Sequence, residues 1–196
     1  HTRYIGDWSS DVCSSDLGHL PTPAQNRDPM TTHHPVELKA PDISRYAKGT
    51  DGVPYVHTFD SGKPGPHVMV NALTHGNEIC GAIALETIFS LGLKPKQGKM
   101  TLGFINVGAF QRFDPAKPNA SRFVDEDFNR VWGLDVLEGS RDSVETRRAR
   151  ALRPVVDAAD YLLDIHSMQH PTAPLMLCGP LSKGRTWARQ IGRAHV

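Results

Sequence analysis

The sequence predicts an α/β domain with a mainly parallel sheet and flanking helices. Short apolar segments rich in β-branched residues alternate with segments of helical periodicity, and turn residues separate them. At 196 residues the chain has the length of one domain. The predicted strands are 54–59, 67–72, 100–107, 161–165 and a short one at 175–177, and the predicted helices are 77–91 and 143–159.

The strand predictions rest on composition. The segments 67–72 (HVMVNA) and 100–107 (MTLGFINV) consist largely of the apolar and β-branched residues that a buried strand prefers. A turn at 61–66, rich in glycine and proline, separates the first two strands. The stretch 108–140 has no sustained period, and loops of that length inside compact domains tend to be functional.

End signals support both helices. In the helix 77–91, apolar residues recur three and four positions apart, and Gly92 follows as a stop. In the helix 143–159, Asp142 is placed to cap the first turn and Glu145 follows three residues later, as in a capping box. A run of arginines on this second helix is interpreted as a solvated basic face: Arg147, Arg148, Arg150 and Arg153.

The two ends of the chain are predicted to be foreign to the protein. One DNA string that encodes residues 191–196, with the last two bases of a Gln190 codon, is the reverse complement of a string that encodes residues 11–17. Two ends of a natural protein have no reason to be related in this way, and the string matches a widely used sequencing adapter. We therefore exclude residues 1–17 and 191–196 from the fold prediction.

Composition limits the partners and the compartment. Residues 18–53 form a polar leader and entry segment, in which Met30 is the expected start. Without the excluded ends only Cys80 and Cys178 remain, which indicates no disulfide framework.

A formal net charge of +1 and the lack of a long apolar run argue against nucleic-acid and membrane partners. A start at Met30 leaves no signal peptide, so we expect a cytoplasmic protein.

A candidate metal site follows the second predicted strand. His75 lies just after the strand and Glu78 lies in the first turn of the helix, so an imidazole and a carboxylate can face one point, and both donor types suit zinc. This spacing alone is weak evidence, because a first-turn glutamate is also favoured by the helix dipole. His166 leaves the carboxyl end of another predicted buried strand, the edge where open α/β sheets bind ligands. A buried structural histidine is the alternative.

The long loop carries the third feature. Arg122, Asn129 and Arg130 lie among acidic residues, and a solvated surface is the common reading of such a charged loop. Beside a zinc site, however, arginines suit a substrate carboxylate, which they grip with two hydrogen bonds. We therefore expect a small-molecule carboxylate as the substrate.

Taken in order, the motifs H-G-N-E, R-F-V-D-E-D-F-N-R and D-I-H resemble those of the succinylglutamate desuccinylase/aspartoacylase family, which is related to zinc carboxypeptidases. The resemblance covers residues 54 to about 180. It implies a zinc-carboxypeptidase-like fold, here incomplete at the C-terminus. It also implies that His75, Glu78 and His166 bind one zinc ion.

The resemblance implies roles for the loop residues as well. Arg122 matches the family's arginine that polarises the scissile carbonyl and steadies the developing oxyanion. Asn129 and Arg130 match the pair that binds the substrate carboxylate. Asp127 matches the carboxylate that orients the first zinc histidine, a role in keeping with the outer-sphere partners that metal-bound histidines need.

The sequence also departs from the family pattern. Asn106 is followed by Val107, where the family often has proline. The glutamate that serves as general base in the family lies beyond His166, and no glutamate follows Glu145 here. We therefore take 54–190 as the N-terminal part of a zinc hydrolase catalytic domain, and we expect the chain itself to be inactive or nearly so, because losing a general base typically costs about 10²–10⁴-fold in rate.

Three functions remain open at this point. The first is an amidohydrolase of N-acyl amino acids, and the second is a zinc carboxypeptidase that acts on short peptides. The third is a non-catalytic zinc-binding pseudoenzyme. The first two share every site residue named above, whereas the third differs in lacking a glutamate base. The sequence does not indicate the oligomeric state.

Overall fold

The computed structural model describes residues 35–168, 173, 175–179 and 181–191. The adapter-encoded segments predicted at the two ends lie outside the described residues, except for Ile191, the last residue of the final helix. The suspected start at Met30 also lies outside them.

Four strands form one sheet in the described part of the chain. The spatial order is β1-β3-β2-β4; β2 runs parallel to both β3 and β4, and β1 pairs antiparallel with β3. The prediction of a mainly parallel sheet is therefore confirmed. The strands are β1 (Val56–Asp60), β2 (His67–Ala72), β3 (Lys99–Phe104) and β4 (Tyr161–Ile165).

Helices connect and flank these strands. Both predicted helices, α1 and α4, are present to within two residues at each end. The strand predicted at 175–177 is wrong, since residues 175–179 have no regular structure, and the helix α5 was not predicted. The helices are α1 (Ile79–Ser90), α2 (Val107–Phe110), α3 (Leu134–Leu137), α4 (Val144–Ala158) and α5 (Ser182–Ile191), with 3₁₀ turns at Ser44–Tyr46, Pro118–Ser121 and Phe128–Arg130.

None of the helices within the described ranges combines the length and the apolar composition that crossing a bilayer requires.

Two apolar clusters lie on opposite faces of the sheet. On β2, Val70 and Ala72 join the cluster beneath α1, whereas Met69 joins the cluster beneath α4. Successive side chains of a strand point to opposite faces, so this alternation places one helix on each side. The sheet is thus covered on both faces, as expected for strands this rich in apolar residues.

The N-terminus of α4 differs from the prediction. The capping box is formed by Ser143 and Thr146: the Thr146 N–H donates to Ser143 Oγ at 3.0 Å, and the Ser143 N–H donates to Thr146 Oγ1 at 2.8 Å. Asp142 instead pairs with Arg147 at 2.6 Å. Ser143 sits directly before the first helical residue, whereas Asp142 is one position too early. Glu145 is thereby left free for contacts outside its own helix.

The interpretation of the α4 arginines as a solvated face is correct for Arg147, which is exposed, and wrong for two others. Arg148 donates to three backbone carbonyls: Ile105 and Pro54 at 2.8 Å and Phe104 at 2.9 Å. Burial lowers the pKa of its guanidinium to about 10, so it remains charged at neutral pH. Arg148 therefore ties the helix to the end of β3.

Arg150 holds a second segment in the same way. Its guanidinium donates to carbonyls of α3 and of the loop that follows, including Val136 at 2.9 Å and Leu137 at 2.8 Å. This role could not be predicted from the sequence, because no local pattern distinguishes an arginine that binds backbone carbonyls from one that faces solvent.

Replacing Arg148 by methionine should lower the free energy of unfolding by about 3 kcal/mol, since hydrogen bonds from charged donors contribute about 1.5–3 kcal/mol each and are not additive. The matched control is Arg147→Met on the exposed side of the same helix, with an expected change within about 0.5 kcal/mol. Urea denaturation of both variants measures the difference. Equal losses would show that the carbonyl contacts of Arg148 do not matter.

Candidate metal centre

The site lies at the carboxyl ends of β2 and β4. These strands are parallel neighbours, and Ala72 is paired with Ile165. His75 follows β2 three residues after Ala72, and His166 directly follows β4, so both histidines leave the sheet at the same edge. This is the edge at which the sequence analysis placed them.

A tight turn directs the chain from β2 into the site. Leu73 is fully buried and has a left-handed backbone with φ 62°, a conformation that is costly for a residue with a Cβ. Its carbonyl accepts a hydrogen bond from the Asn106 N–H at 2.8 Å. At Gly76, a Cβ would collide with the carbonyl of Ser121, and the Gly76 N–H donates to the Arg122 carbonyl at 3.0 Å. Glycine thus lets the arginine loop, which comprises residues 121–130, lie against this turn.

Three side chains converge at this edge. His75 Nδ1 lies 2.8 Å from Glu78 Oε1, and His166 Nδ1 lies 2.9 Å from Glu78 Oε2. One ligand atom of each residue lies within 4.8 Å of the others. His75 and Glu78 are buried, with 1% and 4% exposure, whereas about a third of the His166 side chain is open to solvent.

The far nitrogens of both imidazoles face carboxylates. His75 Nε2 lies 3.2 Å from Asp127 Oδ1, as expected for the orienting role predicted for Asp127. His166 Nε2 lies 2.9 Å from Asp164 Oδ2, and the Thr74 hydroxyl donates to the same oxygen at 2.8 Å. Each histidine is therefore held from behind, with its Nδ1 turned toward Glu78.

No role was predicted for Asp164, although it belongs to the D-I-H motif, or for Thr74. A signal for Asp164 was available: Asp164 and His166 are two residues apart at the end of a strand, and side chains two residues apart share a face. No comparable signal existed for Thr74, because its contact with Asp164 spans 90 positions.

The Glu78 carboxylate has two further partners. Arg122 Nη1 donates to Oε1 at 3.0 Å, and the Ser167 N–H donates to Oε2 at 3.0 Å. Glu78 is the N-cap residue of α1 and not part of its first turn, so its side chain projects away from the helix into the site.

The arginine loop supplies the remaining neighbours. Arg122 Nη2 lies 3.1 Å and Asn129 Nδ2 lies 3.5 Å from His75 Nε2. Arg130 is exposed on the adjoining 3₁₀ turn. The structure thus brings Arg122, Asp127 and Asn129 to the first histidine. Arg130, the next residue after Asn129, is exposed and forms no hydrogen bond with this histidine in the structure.

The electrostatics of the site follow from these contacts. Burial lowers the pKa of the His166 imidazole, but hydrogen bonds with Asp164 and Glu78 outweigh it and raise the pKa to about 10. Burial also opposes the hydrogen bonds of His75 with Asp127 and Glu78, and the net pKa of His75 is raised. Despite burial, the two histidines hold the pKa of Glu78 well below its usual range. The hydrogen bond with His75 is the main reason that the pKa of Asp127 falls to about 2.

The residues present fit a divalent metal ion. Two imidazole nitrogens and a carboxylate converge, and the other nitrogen of each imidazole is placed so that its N–H can donate to a carboxylate, which is the arrangement around metal-bound histidines. Three protein ligands of this kind are typical of a catalytic zinc site that keeps one position open.

Fold and site define an α/β protein with a His-Glu-His cluster at the carboxyl edge of a parallel sheet. Residues 64–180 match the succinylglutamate desuccinylase/aspartoacylase catalytic domain. The chain therefore belongs to the succinylglutamate desuccinylase/aspartoacylase family, as its motifs predicted. No curated protein matches the chain.

Solved structures of this family share the fold. An aspartoacylase family protein from Mesorhizobium loti is similar with a TM-score of 0.53 and 24% identity, over 74% of this chain and 46% of that one. The succinylglutamate desuccinylase from Chromobacterium violaceum is similar with a TM-score of 0.53 and 16% identity, over 71% of this chain and 47% of that one. The chain thus spans just under half the length of these relatives.

The raised pKa of His166 predicts a pH dependence for the metal-free chain. A histidine that binds its proton more tightly when folded contributes full stability below its unfolded pKa of 6.5, and this contribution is lost as the pH rises toward about 10. Melting temperatures measured in chelator should therefore fall over this range, and His166→Gln should flatten the fall.

His57→Gln is the control, since His57 lies on β1 and contacts the Tyr46 carbonyl. Its profile should follow that of the unchanged chain. Superimposable profiles for the unchanged chain and His166→Gln would contradict the proposed linkage.

Proposed function

We propose that this chain is part of a zinc-dependent amidohydrolase that removes the acyl group from an N-acyl amino acid. The observation that carries the proposal is the convergence of two imidazole Nδ1 atoms and the Glu78 carboxylate beside Arg122, in a chain of this family. His75, Glu78 and His166 would hold the ion. When bound, zinc lowers the pKa of its water ligand toward about 7 and polarises a carbonyl oxygen.

The outer carboxylates orient the histidines for metal binding. Because Asp127 and Asp164 face the Nε2 atoms, each neutral imidazole carries its proton on Nε2 and leaves Nδ1 as the ligand atom. The two carboxylates also fix the direction of each ring, so little order has to be gained when the ion enters.

Arg122 supplies positive charge where the reaction needs it. A nitrogen of His75 that donates to Asp127 cannot also accept from Arg122. Arg122 Nη2, which lies 3.8 Å from Asp127 Oδ2, therefore has an N–H to donate to another acceptor. The proposed acceptor is the amide oxygen of the substrate, on which negative charge develops during attack. Donors fixed in advance at such a position typically contribute about 10²–10³-fold in rate.

Asn129 and Arg130 are proposed to bind the carboxylate of the substrate. Asn129 already reaches the edge of the cluster at His75, and Arg130 is the exposed cation that follows it. A guanidinium binds a carboxylate through two parallel hydrogen bonds. This pair would place the amino-acid end of the substrate at a set distance from the metal.

Metal binding is the first test. The chain, prepared metal-free, should bind one equivalent of Zn²⁺ or Co²⁺, measured by competition with a chromophoric chelator. His166→Ala and Glu78→Gln should each weaken the affinity by more than about 100-fold, and Asp127→Ala by about 10–100-fold. His57→Gln should leave the affinity unchanged. A chain that binds no metal, or a Glu78→Gln variant with full affinity, would refute the zinc site.

Substrate class is the second test. The zinc-loaded chain should bind an N-acetyl amino acid more tightly than the corresponding carboxamide, and Arg130→Ala should weaken this binding about tenfold. Arg147→Ala is the matched control. Isothermal titration calorimetry measures both. Tighter binding of short peptides would favour a carboxypeptidase. Equal binding of the N-acetyl amino acid and its carboxamide would favour a non-catalytic zinc-binding domain.

A further inference from the structure

Glu145 is a buried carboxylate with a complete set of hydrogen-bond partners. Its residue is 0% exposed, although a glutamate in the first turn of a helix usually faces solvent. Oε1 accepts from Asn106 Nδ2 at 3.0 Å and from the Val124 N–H at 2.7 Å. Oε2 accepts from the Asp125 N–H at 3.1 Å and the Glu126 N–H at 3.4 Å. Four donors fill the capacity of a carboxylate.

Three of these donors are consecutive backbone N–H groups of the arginine loop. Successive N–H groups that point to one anion form a concave backbone site, which fixes the local conformation of the chain. The contact is reciprocal, because Asp125 Oδ2 accepts from the Val144 N–H at the start of α4 at 2.8 Å. A carboxylate of the helix thus accepts hydrogen bonds from the loop, and a carboxylate of the loop accepts one from the helix.

The residues held by Glu145 lie between two residues that contact the first histidine. Arg122 precedes the segment 124–126 by two positions, and Asp127 follows it directly. Both face His75 Nε2, at 3.1 Å and 3.2 Å. Their backbone positions are thus set on either side of the segment that Glu145 binds.

Asn106 extends the same connection to β2. Its side-chain amide donates to Glu145, and its backbone N–H donates to the Leu73 carbonyl at 2.8 Å. Leu73 precedes His75 by two residues. One buried carboxylate therefore links the turn that carries His75 with the loop that carries its outer partners.

We propose that Glu145 is a positioning residue of the metal site, which acts through the arginine loop to hold Asp127 and Arg122 against His75. Glu145 contacts neither the proposed metal-binding atoms nor the two residues proposed to bind the substrate, Asn129 and Arg130. This inference rests on the proposed function, because it concerns the affinity of the proposed zinc site. It adds a residue, 20 positions after Asp125, that no motif of the site contains.

The test compares the metal affinity of a Glu145 variant with that of a destabilised control, each measured while fully folded. Glu145→Gln keeps the size of the side chain but turns an NH₂ group toward backbone donors. Leu152→Ala is the control, because Leu152 is fully buried on the same helix, in the apolar cluster that includes Phe128 of the loop. Its truncation is destabilising but removes no hydrogen bond between helix and loop. Both are measured by Co²⁺ competition at a temperature at which each variant is fully folded, as judged by circular dichroism.

We expect Glu145→Gln to weaken Co²⁺ binding about tenfold and Leu152→Ala by less than about twofold. In an Asp127→Ala background, Glu145→Gln should have a smaller further effect, because the part of its influence that passes through Asp127 is then absent. If Glu145→Gln does not fold, Glu145→Asp replaces it: the shorter carboxylate cannot reach all four donors, and the affinity should fall at least threefold.

The outcomes separate the two proposals. If the unchanged chain binds no Co²⁺ or Zn²⁺, the proposed function fails. If the unchanged chain binds metal and the Glu145 variants lose no more affinity than Leu152→Ala, the positioning role is refuted while the zinc site stands. Equal losses for Glu145→Gln with and without Asp127 would also overturn it, since Glu145 would then act independently of Asp127.

Discussion

The geometry of the site depends on the buried carboxylate of Glu78. Moving a carboxylate out of water is costly unless donors replace the water. Here the donors come from different segments: His75 after β2, Arg122 in the loop, and His166 with Ser167 after β4. Each segment must reach the carboxylate, so a single charged group at the start of α1 sets the relative positions of the strand ends and the loop.

A second polar layer lies behind the site, on α4. Glu145 holds the arginine loop, Arg148 holds the end of β3, and Arg150 holds the segment around α3. The apolar residues of the helix pack on the sheet, and its charged residues bind backbone groups of three irregular segments. Irregular backbone next to a buried site needs such side-chain partners, because its N–H and C=O groups do not take part in the regular hydrogen bonds of a helix or a sheet.

The sequence predicted what depends on local pattern and not what depends on distant contacts. The bounds of β2 and β4 agreed with composition, and the histidines at their ends could be placed at one edge because both strands are parallel. The cap of α4 was assigned one residue too early, and the contacts of Arg148 cross 43 positions to Ile105. The helix α5 was not predicted because it is short and runs into the segment 191–196 that was excluded as foreign, so too few apolar positions remained to establish a period. Zinc binding and the roles of Arg122, Asn129 and Arg130 stay predictions.

The order of the strands in the sheet also has a consequence for folding. β2 and β3 are joined by one helix and can pair early, whereas β4 pairs with β2 across the sequence, with His67 and Asp160 93 positions apart. Contacts between distant segments require a large loss of chain entropy before they stabilise anything, and they form slowly. His75 and Glu78, three residues apart in the chain, would therefore meet early in folding, whereas His166 would join them only when β4 pairs with β2.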